Sequence, residues 1–389
     1  MQNFVYSVPT KIIFGKDQVD VLADQIKEYG RKVLLAYGGG SIKRNGIYDR
    51  VTEILKENNI EFYELAGIEP NPDIESVREG VRICRENNID FILAVGGGST
   101  IDCSKVIAAG YYYDGDPWDL VSRKSPITKT LPLGVILTMS ATGSEMNSGA
   151  VISNRETKQK LHIMHPNLLP KFSILDPSYT FTLPKEQTAA GIADIMSHTF
   201  ESYFTLNDGA YLQDRFAESI LKTCIRYGKI AYDEADNYEA KANIMWAAPN
   251  AINGLLMCGK NAIWSVHGIA QELTAYYGLT HGVALAILTP VWMEYVLDDE
   301  RVDKFVEYGV NVWGIDSNKD KYQIAKEAIE KTREFFTSIG LPKSLSEVGI
   351  GEENLEKMAQ DAIDDKGGVI GNFKPLYYDD VLEILRKAL

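Results

Sequence analysis

The sequence contains few cysteines and histidines, no long uninterrupted apolar run, and more acidic than basic residues. Among its 389 residues there are only 4 cysteines, which are widely spaced and form no C-x-x-C pair. This pattern argues against a disulfide scaffold and against a cysteine zinc site, and it fits a reducing cytoplasm. The 40 lysines and arginines against 54 acidic residues give a net charge of −14. Nucleic acids and anionic membranes are therefore poor candidate partners, because both are bound through clustered basic side chains.

No segment has the pattern of a membrane span or a secretory signal. The most apolar stretch, residues 282–297, is interrupted by Thr289, Pro290 and Glu294. It predicts a buried helix rather than a transmembrane one. The start, MQNFVYSVPTK, lacks the apolar core of a signal peptide. We therefore expect a cytoplasmic protein that works on a small molecule.

The two halves of the chain differ in their patterns. Up to about residue 178, short apolar runs such as KVLLAY and FILAVG alternate with helical patterns, which predicts a mostly parallel sheet covered by helices. Beyond Pro184, a residue suited to the first turn of a helix, almost every segment has helical spacing. The sequence thus predicts an α/β domain over residues 1–180 and an all-helical domain over residues 181–389.

A triple glycine follows one of the predicted strands and precedes a predicted helix. In FILAVGGGSTID, Gly96, Gly97 and Gly98 would let the backbone approach a ligand closely, and Ser99 with Asp102 has the spacing of a capping box. The free N–H groups of the helix would then face a phosphate. A tight turn with no ligand fits the same residues, and the motif is neither G-x-G-x-x-G nor a Walker A loop.

A second glycine segment, GGGS at residues 38–41, also follows a predicted strand. An acidic side chain at such a strand end usually holds the ribose diol of NAD, whereas here glycines are followed by Lys43 and Arg44. This favours a ribose 2′-phosphate, and so NADP over NAD, unless the two cations are merely solvated. A third stretch, TMSATGSEMNSG at residues 138–149, is either a ligand-binding loop or a turn-rich connector.

Three of the 5 histidines lie in the predicted helical domain. Asp194 and His198 are four residues apart and share a helix face. His267 and His281 would be roughly 21 Å apart in one straight helix, but Gly278 can end a first helix and Thr280 can cap a second. If the chain folds back there, three imidazoles and one carboxylate suit Fe²⁺ or Zn²⁺. Separate core histidines and a structural Asp–His pair remain the alternatives.

These segments resemble the iron-containing (group III) alcohol dehydrogenases over essentially the whole chain. The matching pieces include FVYSVPTKIIFGKD, EPNPD, AVGGGSTIDCSK, ATGSEMNSGAVI, ILDP, DIMSH and HGIAQELTAYYGLTHG. Each piece is short, but their order and spacing are specific. Within this family, the chain resembles the subgroup of butanol dehydrogenases and NADPH-dependent aldehyde reductases. The resemblance implies an N-terminal Rossmann-like domain, a C-terminal all-helical metal-binding domain, as in dehydroquinate synthase, and an active site between them.

The resemblance also implies roles for individual residues. The metal ligands, which are also the catalytic residues, would be Asp194, His198, His267 and His281. The cofactor-binding residues would be Gly38, Gly39, Gly40, Ser41, Lys43, Asn71, Gly97, Gly98, Ser99, Asp102, Thr138, Thr142, Ser144, Lys160 and Gln271. The chain departs from many relatives at Gln271, where they carry a further histidine. Glutamine forms hydrogen bonds but is no general acid near neutral pH.

The implied activity is hydride transfer between NAD(P)H and a small aldehyde or primary alcohol, with Fe²⁺ as the metal and Zn²⁺ as the alternative. NADP is the expected cofactor and NAD the alternative, and a homodimer or larger homo-oligomer is expected. Two other classes fit the architecture: a metal-dependent cyclase or lyase, and a non-catalytic nucleotide-binding regulator. The ATGSE loop argues against the first, and the aspartate with three histidines argues against the second.

Overall fold

The structure, a computed structural model, describes residues 1–157, 159–206 and 209–389. The chain divides into two compact units: an α/β unit of residues 7–183 and 235–245, and a helical unit of residues 1–6, 184–234 and 246–389. The division predicted between residues 180 and 181 lies between residues 183 and 184. In addition, residues 1–6 belong to the helical unit and residues 235–245 to the α/β unit, the reverse of the prediction. Met245 belongs to an apolar core of the α/β unit, and the Gln2 N–H donates to Gly259 O in the helical unit.

The α/β unit contains a six-stranded parallel sheet and a separate hairpin. The strands of the sheet are β1 (Lys11–Phe14), β2 (Lys32–Tyr37), β3 (Glu61–Leu65), β4 (Phe91–Gly96), β5 (Leu133–Leu137) and β8 (Phe172–Leu175). Their order across the sheet is β1-β8-β5-β4-β2-β3. Strands β6 (Gly149–Asn154) and β7 (Gln159–Met164) form an antiparallel hairpin.

Helices cover the sheet on both faces, which fits the continuous apolar runs of its central strands. They are α1 (Leu22–Lys27), α2 (Ser41–Arg44), α3 (Ile47–Glu57), α4 (Ile74–Asn87), α5 (Gly98–Gly110) and α6 (Pro117–Val121). Successive residues of β2 enter different cores, with Val33 in the one and Leu34 in the other. The predicted parallel sheet covered by helices is thus confirmed.

The helical unit follows the predicted segments. Its helices are α7 (Lys185–Tyr203), α8 (Tyr211–Asp233), the C-terminal part of α9 (Tyr238–Ile252), α10 (Val266–Tyr277), α11 (His281–Val296), α12 (Val302–Trp313), α13 (Lys321–Ser338), α14 (Leu355–Asp365) and α15 (Tyr378–Lys387). Pro184 stands directly before the first residue of α7 and not within its first turn.

The apolar stretch at residues 282–297 is confirmed as a buried helix. It corresponds to α11, which continues through Pro290. Across the described parts of the chain, we find no helix with the combined length and apolar character that a bilayer span requires.

Candidate functional site

Three polar residues of α7 lie on one face of a helix that is buried almost throughout. Asp194, His198 and Glu201 are separated by four and three residues, and each is at most 6% exposed. Residues at these spacings stack along one helix face. Buried polar groups are costly unless they are paired or hold an ion, so this face needs partners from neighbouring helices.

Two further histidines reach the same face from α10 and α11. Gly278, with a φ of 66°, ends α10, and α11 begins one residue after Thr280. The chain folds back there, and the rings of His267 and His281 lie 5.3 Å apart. The predicted turn at Gly278 is therefore confirmed, and so is the predicted approach of His281 to His267. The Thr280 side chain makes no capping hydrogen bond.

One oxygen of Asp194 is the centre of the cluster. Its Oδ1 lies 3.7 Å from Nε2 of His198, 3.9 Å from Nε2 of His267 and 4.0 Å from Nε2 of His281. The ligand atoms of Asp194, His267 and His281 all lie within 4.8 Å of one another. Ligands about 2.1 Å from a tetrahedral ion would be roughly 3.4 Å apart. The three distances from Asp194 Oδ1 are a few tenths of an ångström longer than this.

The polar atoms of this cluster are well suited to a cation. Within the described chain, neither Asp194 Oδ1 nor His267 Nε2 has a hydrogen-bond partner, although both are buried. A buried carboxylate oxygen and a buried imidazole nitrogen, left unsatisfied and facing each other, are the donors that Fe²⁺ and Zn²⁺ accept. The residues therefore fit a divalent metal ion.

Burial and neighbouring charged groups together set the protonation states of the cluster. It lowers the pKa of His198 to about 4, against the opposing effect of Asp194, so this imidazole is neutral at pH 7. Burial alone raises the pKa of Asp194, but His198, His281 and His267 lower it below its ordinary value. An ionised carboxylate and a neutral imidazole are the protonation states that bind a metal.

Glu201 holds His267 from the other side and was missed by sequence reasoning. Its Oε1 accepts from the backbone N–H of His267 at 2.9 Å and lies 3.1 Å from His267 Nδ1, and its Oε2 accepts from the Ser265 N–H at 2.8 Å. A proton on Nδ1 leaves the lone pair of Nε2 directed at Asp194. The signal was available, because Glu201 is seven residues after Asp194.

An indole ring packs beside the imidazoles. The ring centroid of Trp264 lies 4.7 Å from that of His267 and 5.5 Å from that of His198. The side chain is only partly buried. It gives the helical unit an apolar surface next to the cluster.

The α/β unit contains a second candidate site, at the switch point of its sheet. From β2 the chain continues to β3 on one side, and from β4 it continues to β5 on the other. Ligands of such sheets bind at the carboxyl ends of the strands where this reversal occurs. Both glycine segments lie there, since one follows β2 and the other follows β4. A Cβ on Gly38 would come 3.8 Å from Thr100 Oγ1 in α5, which confirms that the two segments are neighbours.

The glycines after β4 form a tight cradle at the start of α5. A Cβ on Gly98 would lie 2.4 Å from Thr142 Oγ1, so Thr142 sits directly above the first residue of the helix. The free N–H groups of the helix and the Thr142 hydroxyl are thus close together, as anion binding requires. The predicted capping box is wrong: Gly97 is the N-cap, Ser99 is the second helical residue, and Asp102 bonds elsewhere.

Asp102 and Lys105, a lysine that sequence reasoning missed, brace the 138–149 segment. Asp102 accepts from Ser144 Oγ at 2.6 Å and from the Val151 N–H at 2.9 Å. The fully buried Lys105 donates to Ser144 Oγ, to Asn147 and to the Gly149 carbonyl. A serine has one proton, so Ser144 has none left for a phosphate. The signal for Lys105 was a lysine inside an apolar helix.

The other predicted cofactor residues lie in the α/β unit, except for Gln271. The Thr138 N–H donates to Gly96 O, at the end of β4. Lys160 Nζ donates to Asn71 Oδ1 at 2.9 Å, which ties the hairpin to the segment after β3. Lys43, on α2, lies beside Glu64. Gln271 belongs to the helical unit, four residues after His267 on α10.

Comparison with known proteins places both units in one family. A family model described as "Iron-containing alcohol dehydrogenase" matches residues 9–177, and one described as "Fe-containing alcohol dehydrogenase family, C-terminal" matches residues 188–389. The chain belongs to the iron-containing alcohol dehydrogenase family. The family implies a metal ion and a nicotinamide cofactor.

Individual relatives match over their full length or nearly so. The chain is 63% identical to NADH-dependent butanol dehydrogenase A of Clostridium acetobutylicum, with 100% of both chains covered. It is 43% identical to the NADPH-dependent aldehyde reductase YqhD of Escherichia coli, with 91% of each covered. The crystal structure of NADH-dependent butanol dehydrogenase A from Thermotoga maritima superposes with a TM-score of 0.94 at 39% identity, covering 100% of this chain and 99% of that one.

These matches confirm the predicted family and fold. They also confirm the enzyme class, an alcohol dehydrogenase or aldehyde reductase that depends on NAD or NADP. The cofactor differs between these relatives: the butanol dehydrogenase of Clostridium acetobutylicum is named for NADH and the aldehyde reductase of Escherichia coli for NADPH.

Proposed function

We propose that this member of the iron-containing alcohol dehydrogenases interconverts a small aldehyde and its primary alcohol, with butanal as a representative substrate. The names of the butanol dehydrogenases and of the aldehyde reductase supply the substrate class. The observation that carries the proposal is the convergence of three Nε2 atoms on one unsatisfied carboxylate oxygen, Asp194 Oδ1.

In this proposal, Asp194, His198, His267 and His281 hold Fe²⁺, with Zn²⁺ as the alternative ion. When bound, the ion supplies a Lewis acid for the substrate oxygen, and the nicotinamide supplies the hydride. The chain's own contribution is to hold one carboxylate and three imidazoles at fixed positions. His198 remains neutral because it is buried, and Glu201 fixes the tautomer of His267.

Two further side chains shape the surroundings of the ion. Trp264 presents an apolar surface beside His198 and His267, which suits the alkyl chain of the substrate. Gln271 shares the face of α10 that carries His267. Because an amide does not ionise near neutral pH, Gln271 orients a proton-carrying group, such as water, and does not supply the proton itself.

The nicotinamide cofactor binds, in this proposal, at the switch point of the α/β unit. Gly97, Gly98 and Ser99 receive the pyrophosphate at the start of α5, with the Thr142 hydroxyl beside them. Gly38, Gly39, Gly40 and Ser41 receive the adenosine ribose. A Cβ on Gly39 or Gly40 would meet nothing within 4 Å, which leaves room for a 2′-phosphate and supports NADP, with NAD as the alternative.

We also propose a cytoplasmic location and a homodimer or larger assembly. All four cysteines, Cys84, Cys103, Cys224 and Cys258, are buried free thiols, which suits a reducing compartment. Sedimentation of the purified protein would test the assembly.

The test is anaerobic oxidation of NADH and of NADPH with butanal, followed at 340 nm. The protein would be assayed as purified, after removal of metal by a chelator, and after reloading with Fe²⁺ or with Zn²⁺. We expect activity that disappears on stripping and returns with one of the ions. No activity with either cofactor under any of these conditions would contradict the proposal and favour a non-redox reaction on the same fold.

A further inference from the structure

A carboxylate on the edge strand β3 contacts the first cation after the GGGS segment. Glu64 Oε2 lies 3.8 Å from Lys43 Nζ. The same oxygen accepts from Tyr37 Oη at 2.5 Å, and Oε1 accepts from Tyr48 Oη at 2.7 Å. Tyr37 is the last residue of β2, Tyr48 lies in α3, and Lys43 lies in α2. Four elements thus meet at one acidic side chain beside the adenosine end of the switch point.

The two tyrosine rings hold Lys43 over this carboxylate. Lys43 Nζ lies 4.4 Å from the ring centroid of Tyr48 and 5.0 Å from that of Tyr37. The rings themselves pack edge to face at 5.7 Å. A lysine ammonium is attracted to aromatic faces as well as to a carboxylate. Lys43 therefore has a defined position, although its side chain is 49% exposed.

Hydrogen bonds keep Glu64 ionised. Burial raises the pKa of Glu64, but Tyr37, Tyr48 and Lys43 outweigh it and lower that pKa below its ordinary value. The carboxylate in turn raises the pKa of the Tyr48 hydroxyl to about 12, so the phenol remains a donor. The cluster of Lys43, Glu64, Tyr37 and Tyr48 thus contains one full negative and one full positive charge at pH 7.

We propose that Glu64 sets the preference between NADH and NADPH by competing with a ribose 2′-phosphate for Lys43. Only NADPH has a phosphate there, and a phosphate needs cations. Lys43 is occupied by Glu64, and the negative charge of Glu64 repels the phosphate. The glycines leave space for a 2′-phosphate, but Glu64 lowers the positive potential at that place. This inference rests on the proposed binding of the cofactor at the carboxyl ends of β2 and β4.

Arg44, the next cation, does not have such a partner. Among the residues that the structure describes, Arg44 makes no ion pair or side-chain hydrogen bond. With Glu64 neutralised, both Lys43 and Arg44 would be available to a phosphate. The chain would then move toward NADPH without any change in the glycine segment.

The experiment compares Glu64→Gln with Glu61→Gln as its matched control. Glu61 lies on the same strand, accepts from Tyr63 Oη at 2.5 Å and lies 3.8 Å from Lys32. Its replacement changes the net charge equally but about 10 Å further along β3. The dissociation constants of NADH and NADPH are measured calorimetrically on the full chain, with 5′-AMP and 2′,5′-ADP as probes of the adenosine end alone.

We expect Glu64→Gln to lower the ratio of the NADPH to the NADH dissociation constant about three- to five-fold. Tyr48→Phe, which removes one hydrogen bond to Glu64, should move the ratio in the same direction by less. In Glu64→Gln combined with Lys43→Gln, most of the gain should disappear. The gain in relative affinity for NADPH that Glu64→Gln produces should also weaken at high salt, because exposed charges are screened.

Two outcomes would overturn the inference: an unchanged or higher ratio in Glu64→Gln, or an equal gain in Glu61→Gln. Failure of the proposed cofactor site would look different, because then the unmodified protein would bind neither NADH nor NADPH. Melting temperatures of all variants identify any change that comes from loss of the fold.

Discussion

The two units of the molecule build their candidate sites by opposite means. In the helical unit the site consists of side chains, a carboxylate and three imidazoles that converge from three buried helices. In the α/β unit the site is formed largely by backbone, because glycines at the start of α5 and after β2 leave the backbone accessible. A metal ion needs specific donor atoms, whereas a pyrophosphate needs close access to N–H groups.

This contrast predicts that the two functions can be damaged separately. The largest effect is expected for His267→Ala, which removes a donor from the centre of the cluster. Loss of the Lewis acid at several kcal/mol corresponds to a fall of about 10³-fold or more in kcat/KM. Metal content, measured by elemental analysis, should fall with it, while the dissociation constant of NADH should change less than two-fold. Loss of NADH binding in a folded His267→Ala protein would show that the two sites are not independent.

A smaller effect on the same site is expected for Glu201→Gln. The amide keeps the shape but removes the charge that faces His267 Nδ1. Partners of this kind contribute about 10- to 100-fold to metal affinity or activity. Competition with a chromophoric chelator would measure the affinity, and excess metal should restore part of the turnover. Unchanged affinity would mean that Glu201 only caps the start of α10 through the N–H groups of Ser265 and His267.

The matching change in the α/β unit is Gly98→Ala. The new Cβ would lie 2.4 Å from Thr142 Oγ1, so the hydroxyl must move out of the cradle. We expect the affinity for NADH to fall about ten-fold, as a strained contact of 1–2 kcal/mol implies. Metal content should stay the same, which is the internal control. A reduced metal content in Gly98→Ala would show that the two sites are not independent.

One carboxyl group of the helical unit should make stability depend on pH. Burial, together with Asp365 and Asp361, raises the pKa of Glu272 in α10 from 4.5 to about 7. Because the folded protein then holds this proton more tightly than the unfolded chain, the proton contributes to the free energy of unfolding, and that contribution is full below about pH 4.5. The contribution is lost as the pH rises from about 4.5 to about 7, and above that the free energy of unfolding no longer changes through this group. Glu272→Gln lacks this loss and should be more stable than the unmodified protein at pH 8, by of order 1–3 kcal/mol.

Denaturant unfolding at pH 5 and at pH 8 measures this difference. The advantage of Glu272→Gln should shrink toward pH 5, and the affinity for NADH should not change. An equal advantage at both pH values would mean that the glutamine acts through packing and not through the proton.

The same contrast explains what the sequence could predict. The parallel sheet, the helical second half and the turn at Gly278 follow from local patterns, since strand periodicity and helix caps are written in neighbouring residues. The cluster of Asp194 and three histidines could be predicted because histidine is rare here and Asp194 and His198 have helical spacing. The family resemblance then assigned His267 and His281, which lie far from Asp194 in the chain, to the same cluster.

What sequence reasoning missed depends on long-range pairing. The contact of Glu64 with Lys43 arises because β3 pairs with β2, which no local pattern specifies. Asp102 has the spacing of a capping box, but the hairpin of β6 and β7 offers it the Val151 N–H, and Ser144 donates to its other oxygen. Residues 235–245 belong to the α/β unit for a similar reason. Met245 packs in an apolar core whose other residues lie between Leu34 and Leu175.

The measurement that tests the central claim most directly is NADH binding and turnover on one metal-stripped sample. The expected result is that stripping abolishes butanal reduction, leaves the dissociation constant of NADH within two-fold of its starting value, and allows turnover to return when Fe²⁺ or Zn²⁺ is added. Turnover that survives complete removal of metal would contradict it, because Asp194 and the three histidines would then be structural residues.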